Sequence, residues 1–105
     1  MDDIIKKLHE FRNERNWKQF HQPKNLAMSI MIEAAELLEN YQWEGQNEDV
    51  DNVKEELADI MSYCLLLCEE YKFDVKEIIA EKIEKNKVKY PIDKAYGKAD
   101  KYNKL

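Results

Sequence analysis

Apolar residues recur at intervals of three and four along most of this chain, and that spacing restricts the fold to helices. In the first segment, roughly residues 2–16, Ile4, Leu8 and Phe11 fall on one side of a helix with 3.6 residues per turn. The sequence contains only two Gly and two Pro among 105 residues, which is too few for a β protein rich in turns. We therefore predict an all-α protein.

Three further helices are predicted from residues that start or stop helices. Pro23 suits the first turn of a helix, where its missing N–H costs nothing. Gly45 and the acidic residues after it predict a turn and a new N-terminus. Asp74, with Glu77 three residues later, is typical of a helix cap, and Pro91 ends the fourth helix. The predicted helices cover roughly residues 2–16, 23–42, 51–71 and 75–90, followed by a lysine-rich tail over 91–105.

The second and third helices carry more apolar residues than one small domain can bury. Besides a central stripe that includes Leu26, Ile30 and Leu37, the sides that should face solvent are also apolar. These outer positions are Met28, Met31, Ile32, Ala35 and Leu38 in the second helix and Met61, Leu65, Leu66 and Cys68 in the third. Helices of this kind are buried on more than one side. We therefore predict a single domain over 1–105, a four-helix bundle completed by dimerisation.

The formal charge of −5 is distributed unevenly along the chain. Residues 1–81 carry 9 basic and 19 acidic side chains, a balance of −10, whereas residues 82–105 carry 8 lysines and 3 acids, a balance of +5. An acidic main body argues against nucleic acid as a partner, because neutralising its phosphates requires a basic face. The basic tail is either a solvated segment or a contact for a small polyphosphate.

Nothing in the sequence indicates a membrane or a secretory route. No apolar run reaches the roughly 18–20 residues that span a bilayer, and the acidic start Met-Asp-Asp-Ile-Ile is unlike a signal peptide. Cys64 and Cys68 lie four apart in a helical segment, a spacing that suits neither a disulfide nor a zinc motif. We expect two reduced core thiols in a cytoplasmic protein.

Four carboxylates interrupt the apolar second and third helices. Glu33 and Glu36 are three residues apart, as are Glu56 and Asp59, so each pair lies on one helical face. Burying carboxylates without partners costs several kcal/mol each or forces some of them to take up protons. A divalent cation neutralises such a group most directly, and we predict that these four side chains bind one.

The same carboxylates allow two other interpretations, a solvated acidic face or salt bridges to Lys54 or Lys82. If they bind a metal, a di-iron centre would require Glu-x-x-His on two helices, and neither His9 nor His21 is so placed. A ligand set of oxygen atoms alone favours Mg²⁺, with Mn²⁺ as a substitute, over zinc or iron.

The pattern Glu33-Ala-Ala-Glu36 followed by Glu56-Leu-Ala-Asp59 resembles the E-x-x-E…E-x-x-D signature of the MazG-like nucleotide pyrophosphohydrolases. Further aromatic and polar residues resemble, more specifically, the dCTP pyrophosphatase branch of this family. These residues are Trp17, the run Phe20 to Leu26, Tyr41 to Trp43, Asp59 to Tyr63, and Asn86 with Lys89 to Pro91. The resemblance covers nearly the whole chain. It implies a helical bundle that dimerises, often into a tetramer, and that uses Mg²⁺ to hydrolyse a (deoxy)nucleoside triphosphate to monophosphate and pyrophosphate.

Several aromatic and polar residues are candidates for holding such a nucleotide. Bases stack on aromatic side chains and form hydrogen bonds at their edges, although an interhelical Trp commonly serves packing alone. Asn86 interrupts the apolar stripe of the fourth helix, where an amide needs either a base edge or a neighbouring helix as partner. The predicted substrate-binding residues are Trp17, His21, Trp43, Tyr63, Lys82 and Asn86, with Lys24 and Arg15 as weaker candidates.

These observations predict a Mg²⁺-dependent pyrophosphohydrolase that favours dCTP or a related pyrimidine nucleotide and cleans the nucleotide pool. Either Glu33 or Glu36 activates the attacking water, and the sequence does not decide between them. One rival keeps the fold but acts on dUTP or on modified or damaged nucleotides. A rival from another class is a helical interaction module without catalytic activity, whose acidic helices pair with a basic partner.

Overall fold

The computed structural model describes all 105 residues, and every regular element is helical. The helices are α1 (Asp2–Glu14), α2 (Pro23–Glu39), α3 (Val50–Glu70), α4 (Val75–Lys89) and α5 (Ile92–Ala95), with short 3₁₀ turns at Lys18–Phe20 and Tyr102–Lys104. The prediction of an all-α protein is confirmed. None of the helices combines the length and apolarity that crossing a membrane requires. The chain divides into two compact units, Met1–Lys72 and Phe73–Leu105.

The helix boundaries follow the capping chemistry expected from the sequence. The side chain of Asp49 accepts a hydrogen bond from the backbone N–H of Asn52 at 3.0 Å and thereby starts α3. Asp74 accepts one from the N–H of Glu77, also at 3.0 Å, and starts α4. Between α2 and α3 the backbone turns at Gly45, whose φ of +76° is a conformation that costs glycine little. Each cap satisfies an N–H that a helix start would otherwise leave unpaired.

In the first unit, α2 and α3 form the main helix pair. Leu26 near the start of α2 and Leu66 near the end of α3 are buried, with 1% and 4% of their surface exposed. At the other end of the pair, the buried Asn40 donates from Nδ2 to the Leu37 carbonyl at 3.1 Å and to Asn52 Oδ1 at 2.9 Å. Because Asn52 lies in the first turn of α3, this hydrogen bond joins the end of α2 to the start of α3.

The helix α1 packs against α3, but it does so with a different face from the one its apolar spacing indicates. Ile4 and Phe11 are 55% and 45% exposed. The less exposed side chains of α1 are instead those of Ile5, Leu8, His9 and Arg12. The helix is therefore rotated so that a histidine and an arginine, rather than two apolar residues, face the interior of the unit.

Large apolar side chains of α2 and α3 lie at the surface of the chain. They are Met28, Met31, Ile32 and Leu38 of α2 and Met61 of α3, each at least half exposed. Two expectations for α3 are wrong in detail. Leu66 was expected on the outer side but is buried, because it lies where α1 packs on α3, and Cys64 was expected in the core but is exposed. Both cysteines are free.

The second unit consists of α4 and the segment that follows it. The rings of Tyr90 and Tyr102 meet edge to face with centroids 6.1 Å apart, and Lys89 Nζ lies 5.0 Å from the Tyr102 ring centroid. The segment over 91–105, expected as a tail, contains the short helix α5. Because Tyr102 contacts Tyr90, the segment folds back on the end of α4.

The hydrogen bond between Asn40 and Asn52 yields a prediction for stability. Replacing Asn40 by Ala leaves Asn52 Oδ1 without its donor, and we expect the free energy of unfolding to fall by about 1–3 kcal/mol. Urea unfolding followed by circular dichroism measures this change. The exposed loop residue Asn47 is the control, since Asn47→Ala should change stability by less than about 0.5 kcal/mol. Equal effects of both substitutions would contradict the structural role of Asn40.

Candidate functional site

Three of the four predicted metal ligands meet between α2 and α3. One carboxylate oxygen each from Glu33, Glu56 and Asp59 lies within 4.8 Å of the other two. Glu33 extends from the middle of α2, whereas Glu56 and Asp59 are three residues apart on α3 and share one face of it. Packing α2 on α3 thus joins side chains that are distant in the sequence. We call these three residues the carboxylate cluster.

The oxygens of the carboxylate cluster lack the partners that buried carboxylates require. Oε2 of Glu33 and Oε2 of Glu56 are both buried without a hydrogen-bond partner. The adjacent Glu56 carboxyl, together with burial and the neighbouring Glu36 and Asp59, raises the pKa of Glu33 to about 7. Like charges this close cannot all remain ionised unless something offsets them. The cluster therefore takes up either a proton or a cation.

Glu36, the fourth predicted ligand, lies beside the carboxylate cluster rather than within it. It is three residues beyond Glu33 on α2 and is exposed to solvent. Its carboxylate still contributes to the raised pKa of Glu33, in part through its negative charge. Glu36 is thus next to the cluster and also accessible to water.

The donor set suits a hard divalent cation. The cluster offers oxygen ligands only, which Mg²⁺ and Mn²⁺ accept more readily than zinc or iron does. A cation bound there would satisfy the two buried oxygens that have no hydrogen-bond partner. The residues present therefore fit the metal that the sequence predicts.

A pocket of about 420 Å³ adjoins the carboxylate cluster, because Asp59 belongs to both. Its walls come from α1, from the segment between α1 and α2, and from α3. Mixed apolar, aromatic and polar walls of this kind are usual for a small-molecule site. Three of the six predicted substrate-binding residues, Trp17, His21 and Tyr63, line it, together with Leu8, Phe11, Arg12, Ser62 and Leu66.

The turn after α1 places the two aromatic residues Trp17 and His21 in the pocket wall. Asn16 adopts the left-handed conformation with φ of +54°, which an asparagine tolerates better than most residues. The chain then folds back, so that the N–H of Trp17 donates to the Arg12 carbonyl at 3.1 Å. The Trp17 ring meets the Phe11 ring edge to face with centroids 5.6 Å apart. These contacts hold the indole of Trp17 in the pocket wall, against the Phe11 ring.

His21 presents an uncharged ring to the pocket. Burial lowers its pKa, and the positive charge of Arg12 lowers it further, against an opposing effect of Glu70. Its Nδ1 atom is buried without a hydrogen-bond partner. A neutral imidazole offers a flat stacking surface together with a polar atom that a ligand can satisfy.

The remaining predicted residues lie elsewhere. Trp43 follows α2 in the loop before α3 and is 69% exposed, and it does not line the pocket. Lys82 and Asn86 lie on α4 in the second unit, where Lys82 is exposed and Asn86 is half-buried. The backbone carbonyl of Asn86 accepts a hydrogen bond from the N–H of Tyr90 at 2.8 Å, at the end of α4.

Two polar residues of the pocket were missed by the sequence reasoning, Arg12 and Ser62. A signal for Arg12 existed, because it stands four residues after Leu8 and therefore on the same helical side as an apolar residue. Ser62 had no such signal, since a small hydroxyl side chain is common on any face of a helix.

Comparisons with known proteins agree with this architecture. The model of the MazG-like family matches residues 28–105. The chain is 34% identical to dCTP pyrophosphatase 1 of Mus musculus and 33% identical to that of Homo sapiens, over 96% of its own length in both cases. It spans 65% of the length of each of these two relatives, which is less than two thirds.

A solved structure agrees as well. The crystal structure of a pyrophosphatase from Archaeoglobus fulgidus superposes with a TM-score of 0.78 at 40% identity, covering 87% of this chain and 92% of that one. At this identity the likeness extends beyond the helical architecture to the sequence itself. The family match over most of the chain and the shared fold lead to one conclusion: the chain belongs to the MazG-like family.

Proposed function

We propose that this protein is a Mg²⁺-dependent (deoxy)nucleoside triphosphate pyrophosphohydrolase that favours dCTP or a related pyrimidine nucleotide. Water and the triphosphate would yield the monophosphate and pyrophosphate. The observation that carries the proposal is the sharing of Asp59 between the carboxylate cluster and the aromatic pocket. A cation site that continues into a pocket of this size suits a ligand with phosphates at one end and a flat ring at the other.

The residues of the cluster have distinct roles in the proposed reaction. Glu33, Glu56 and Asp59 would hold Mg²⁺, which when bound neutralises the phosphate oxygens and makes a nearby water more acidic. Glu36 stands outside these three yet beside them and accessible to water. Its position supports Glu36, in preference to Glu33, as the base that accepts the proton of the attacking water.

The pocket residues would hold the nucleoside. Trp17 and the neutral ring of His21 offer stacking surfaces, and the Tyr63 hydroxyl, one turn beyond Asp59 on α3, suits the sugar or a phosphate. Trp43, Lys82 and Asn86 stay predictions as a second stacking residue, a phosphate contact and a base contact. The dCTP pyrophosphatases at 33–35% identity support a cytosine nucleotide as the substrate.

A nucleotide substrate and free thiols favour a cytoplasmic location.

The exposed apolar side chains of α2 and α3 support assembly of the chain into a homodimer or homotetramer. Met31, Leu38 and Met61 are each at least 60% exposed on the two central helices. Burying such a surface against a second copy is the ordinary way in which a small chain completes its core.

The enzymatic activity is tested directly with purified protein. Incubation with dCTP and Mg²⁺ should release dCMP and pyrophosphate in equal amounts. Glu56→Ala should lower kcat/KM by about 10²-fold or more, which corresponds to about 2.7 kcal/mol of transition-state stabilisation. The neighbouring exposed Glu55 supplies the control, because Glu55→Ala removes the same charge outside the cluster.

The outcomes of that assay separate the rival functions. Release of pyrophosphate from dUTP or from modified nucleotides, in preference to dCTP, would support the rival with the same fold and a different substrate. No pyrophosphate from any nucleoside triphosphate would support a helical interaction module.

The raised pKa of Glu33 predicts how pH acts on the protein with and without metal. The unfolded chain loses this proton near pH 4.5, whereas the metal-free folded chain keeps it to about 7. The folded state therefore binds more protons between these values, and the stability contributed by Glu33 falls as pH rises through this window. Mg²⁺ competes with the proton, so the increase in Tm that it causes should grow from pH 5.5 to pH 8.

Thermal unfolding in EDTA and in Mg²⁺ at the two pH values measures this difference. Glu33→Gln should remove the pH dependence of the Mg²⁺ effect, whereas Glu39→Gln, an exposed change on the same helix, should retain it. A Mg²⁺-induced shift of equal size at both pH values would argue against Glu33 as a ligand.

Assembly is tested by sedimentation. We expect a species of at least twice the chain mass of 12.6 kDa at micromolar concentration. Met31→Glu should dissociate it, because a charge is introduced into the apolar surface, whereas Ile4→Glu on α1 should not. A wild-type monomer would show that the apolar surface stays exposed in solution.

A further inference from the structure

Arg12 is the most unusual residue of the pocket wall, because its charge is buried without a counter-ion and one of its nitrogens has no hydrogen-bond partner. Only 3% of its surface is exposed. Its Nε atom donates to Asn13 Oδ1 at 3.0 Å, whereas Nη1 is buried and has no hydrogen-bond partner. None of the ion pairs in the structure includes Arg12.

A guanidinium in this state is costly to the fold. The group stays protonated at any ordinary pH and cannot remove the cost by losing its proton. The two histidines near it are not its partners, because His9 Nε2 and His21 Nδ1 are themselves buried without a hydrogen bond. The nearby Glu69 is already bound to Lys72 at 2.8 Å. An acceptor on a ligand that enters the pocket lined by Arg12 would satisfy it.

Arg12 lies toward the end of the pocket that is remote from the carboxylate cluster. Its charge acts on Glu69, near the C-terminal end of α3. Along α3, Asp59 and Glu69 are separated by ten residues, which is about 15 Å at 1.5 Å per residue. A nucleotide with its phosphates at the cluster would therefore present its base, rather than its phosphates, to Arg12.

The chemistry of the pyrimidine edge decides which base suits this residue. Arginine has N–H donors and no acceptor, arranged in a planar fork. Cytosine presents two adjacent acceptors, N3 and O2, to such a fork. Uracil and thymine carry a hydrogen on N3, so that a donor would face a donor.

We propose that Arg12 determines base specificity by donating from its guanidinium to the N3 and O2 acceptor edge of a cytosine in the pocket. This inference rests on the proposed function, because it takes a pyrimidine nucleotide as the ligand. It assigns to Arg12 a role that explains why its buried Nη1 has no hydrogen-bond partner within the chain. Discrimination against uracil and thymine then follows from where the donors of Arg12 lie.

Substrate analogues test the contact without changing the protein. In 3-deaza-dCTP a C–H replaces N3, so that one acceptor is lost while the shape and the phosphates are kept. With wild-type protein we expect kcat/KM for this analogue to be about 10- to 100-fold lower than for dCTP, as for loss of a hydrogen bond to a charged group. Calorimetric affinities for dCMP, 3-deaza-dCMP and dUMP give the same comparison without turnover.

A variant completes the cycle. Arg12→Met keeps the length of the side chain and removes its donors, and in this variant dCTP and 3-deaza-dCTP should be equivalent within about twofold. The preference for dCTP over dUTP should shrink correspondingly. Lys7→Met is the matched control, because Lys7 is an exposed cation on the same helix and does not line the pocket. It should retain the full loss on 3-deaza-dCTP.

Three results would overturn the proposal. The first is equal use of dCTP and 3-deaza-dCTP by the wild-type protein, which does not depend on the folding of any variant. The second is an unchanged loss on the analogue in Arg12→Met. The third is a loss in Arg12→Met that is equal for dCTP and dUTP, which would assign Arg12 to the phosphates. Failure of the proposed function itself is distinct, since it would appear as no pyrophosphate release by wild-type protein from any nucleotide.

Discussion

The packing of α2 against α3 is the constraint on which the rest of the site depends. The hydrogen bond between Asn40 and Asn52 joins the two helices at one end, and the buried side chains of Leu26 and Leu66 lie toward the other. This pairing sets the separation between a carboxylate on α2 and two on α3. It brings their oxygens within 4.8 Å, a separation at which the charges must be offset. The cation site therefore forms only when α2 packs against α3.

The fold leaves charged groups unsatisfied both in the carboxylate cluster beside the pocket and in the pocket wall. In the cluster Glu33 and Glu56 have buried oxygens without partners, and on the wall Arg12 has a buried N–H without an acceptor. In an isolated chain each of these groups opposes folding. A ligand that brings a cation to the carboxylates and an acceptor to the arginine would satisfy both, and it would stabilise the folded state by binding to it. The opposite charges of the unsatisfied groups also give the ligand a direction in the pocket.

The sequence predicted the helices better than it predicted their orientation. Asp49, Asp74 and Pro23 act on the residues immediately after them, so that helix starts could be located from local chemistry alone. The exposed side of a helix depends on its neighbours. For α1 the spacing indicated Ile4 and Phe11 as the interior face, yet the helix turns Arg12 inward. Leu66 was misplaced for the same reason, because the covering of that side of α3 by α1 is not encoded in α3 itself.

The sequence by itself determined that the chain is helical, that Glu33, Glu36, Glu56 and Asp59 lie as pairs on two helical faces, and that aromatic residues follow α1. These properties have a range of three or four residues, which is the range of helical periodicity. The tertiary structure alone decided that three of the carboxylates converge while Glu36 stands beside them, and that Trp17, His21 and Tyr63 share a pocket with Arg12. Such distances are set by how helices rotate and slide against each other. That arrangement is a property of the whole packed unit and has no signature in any single segment.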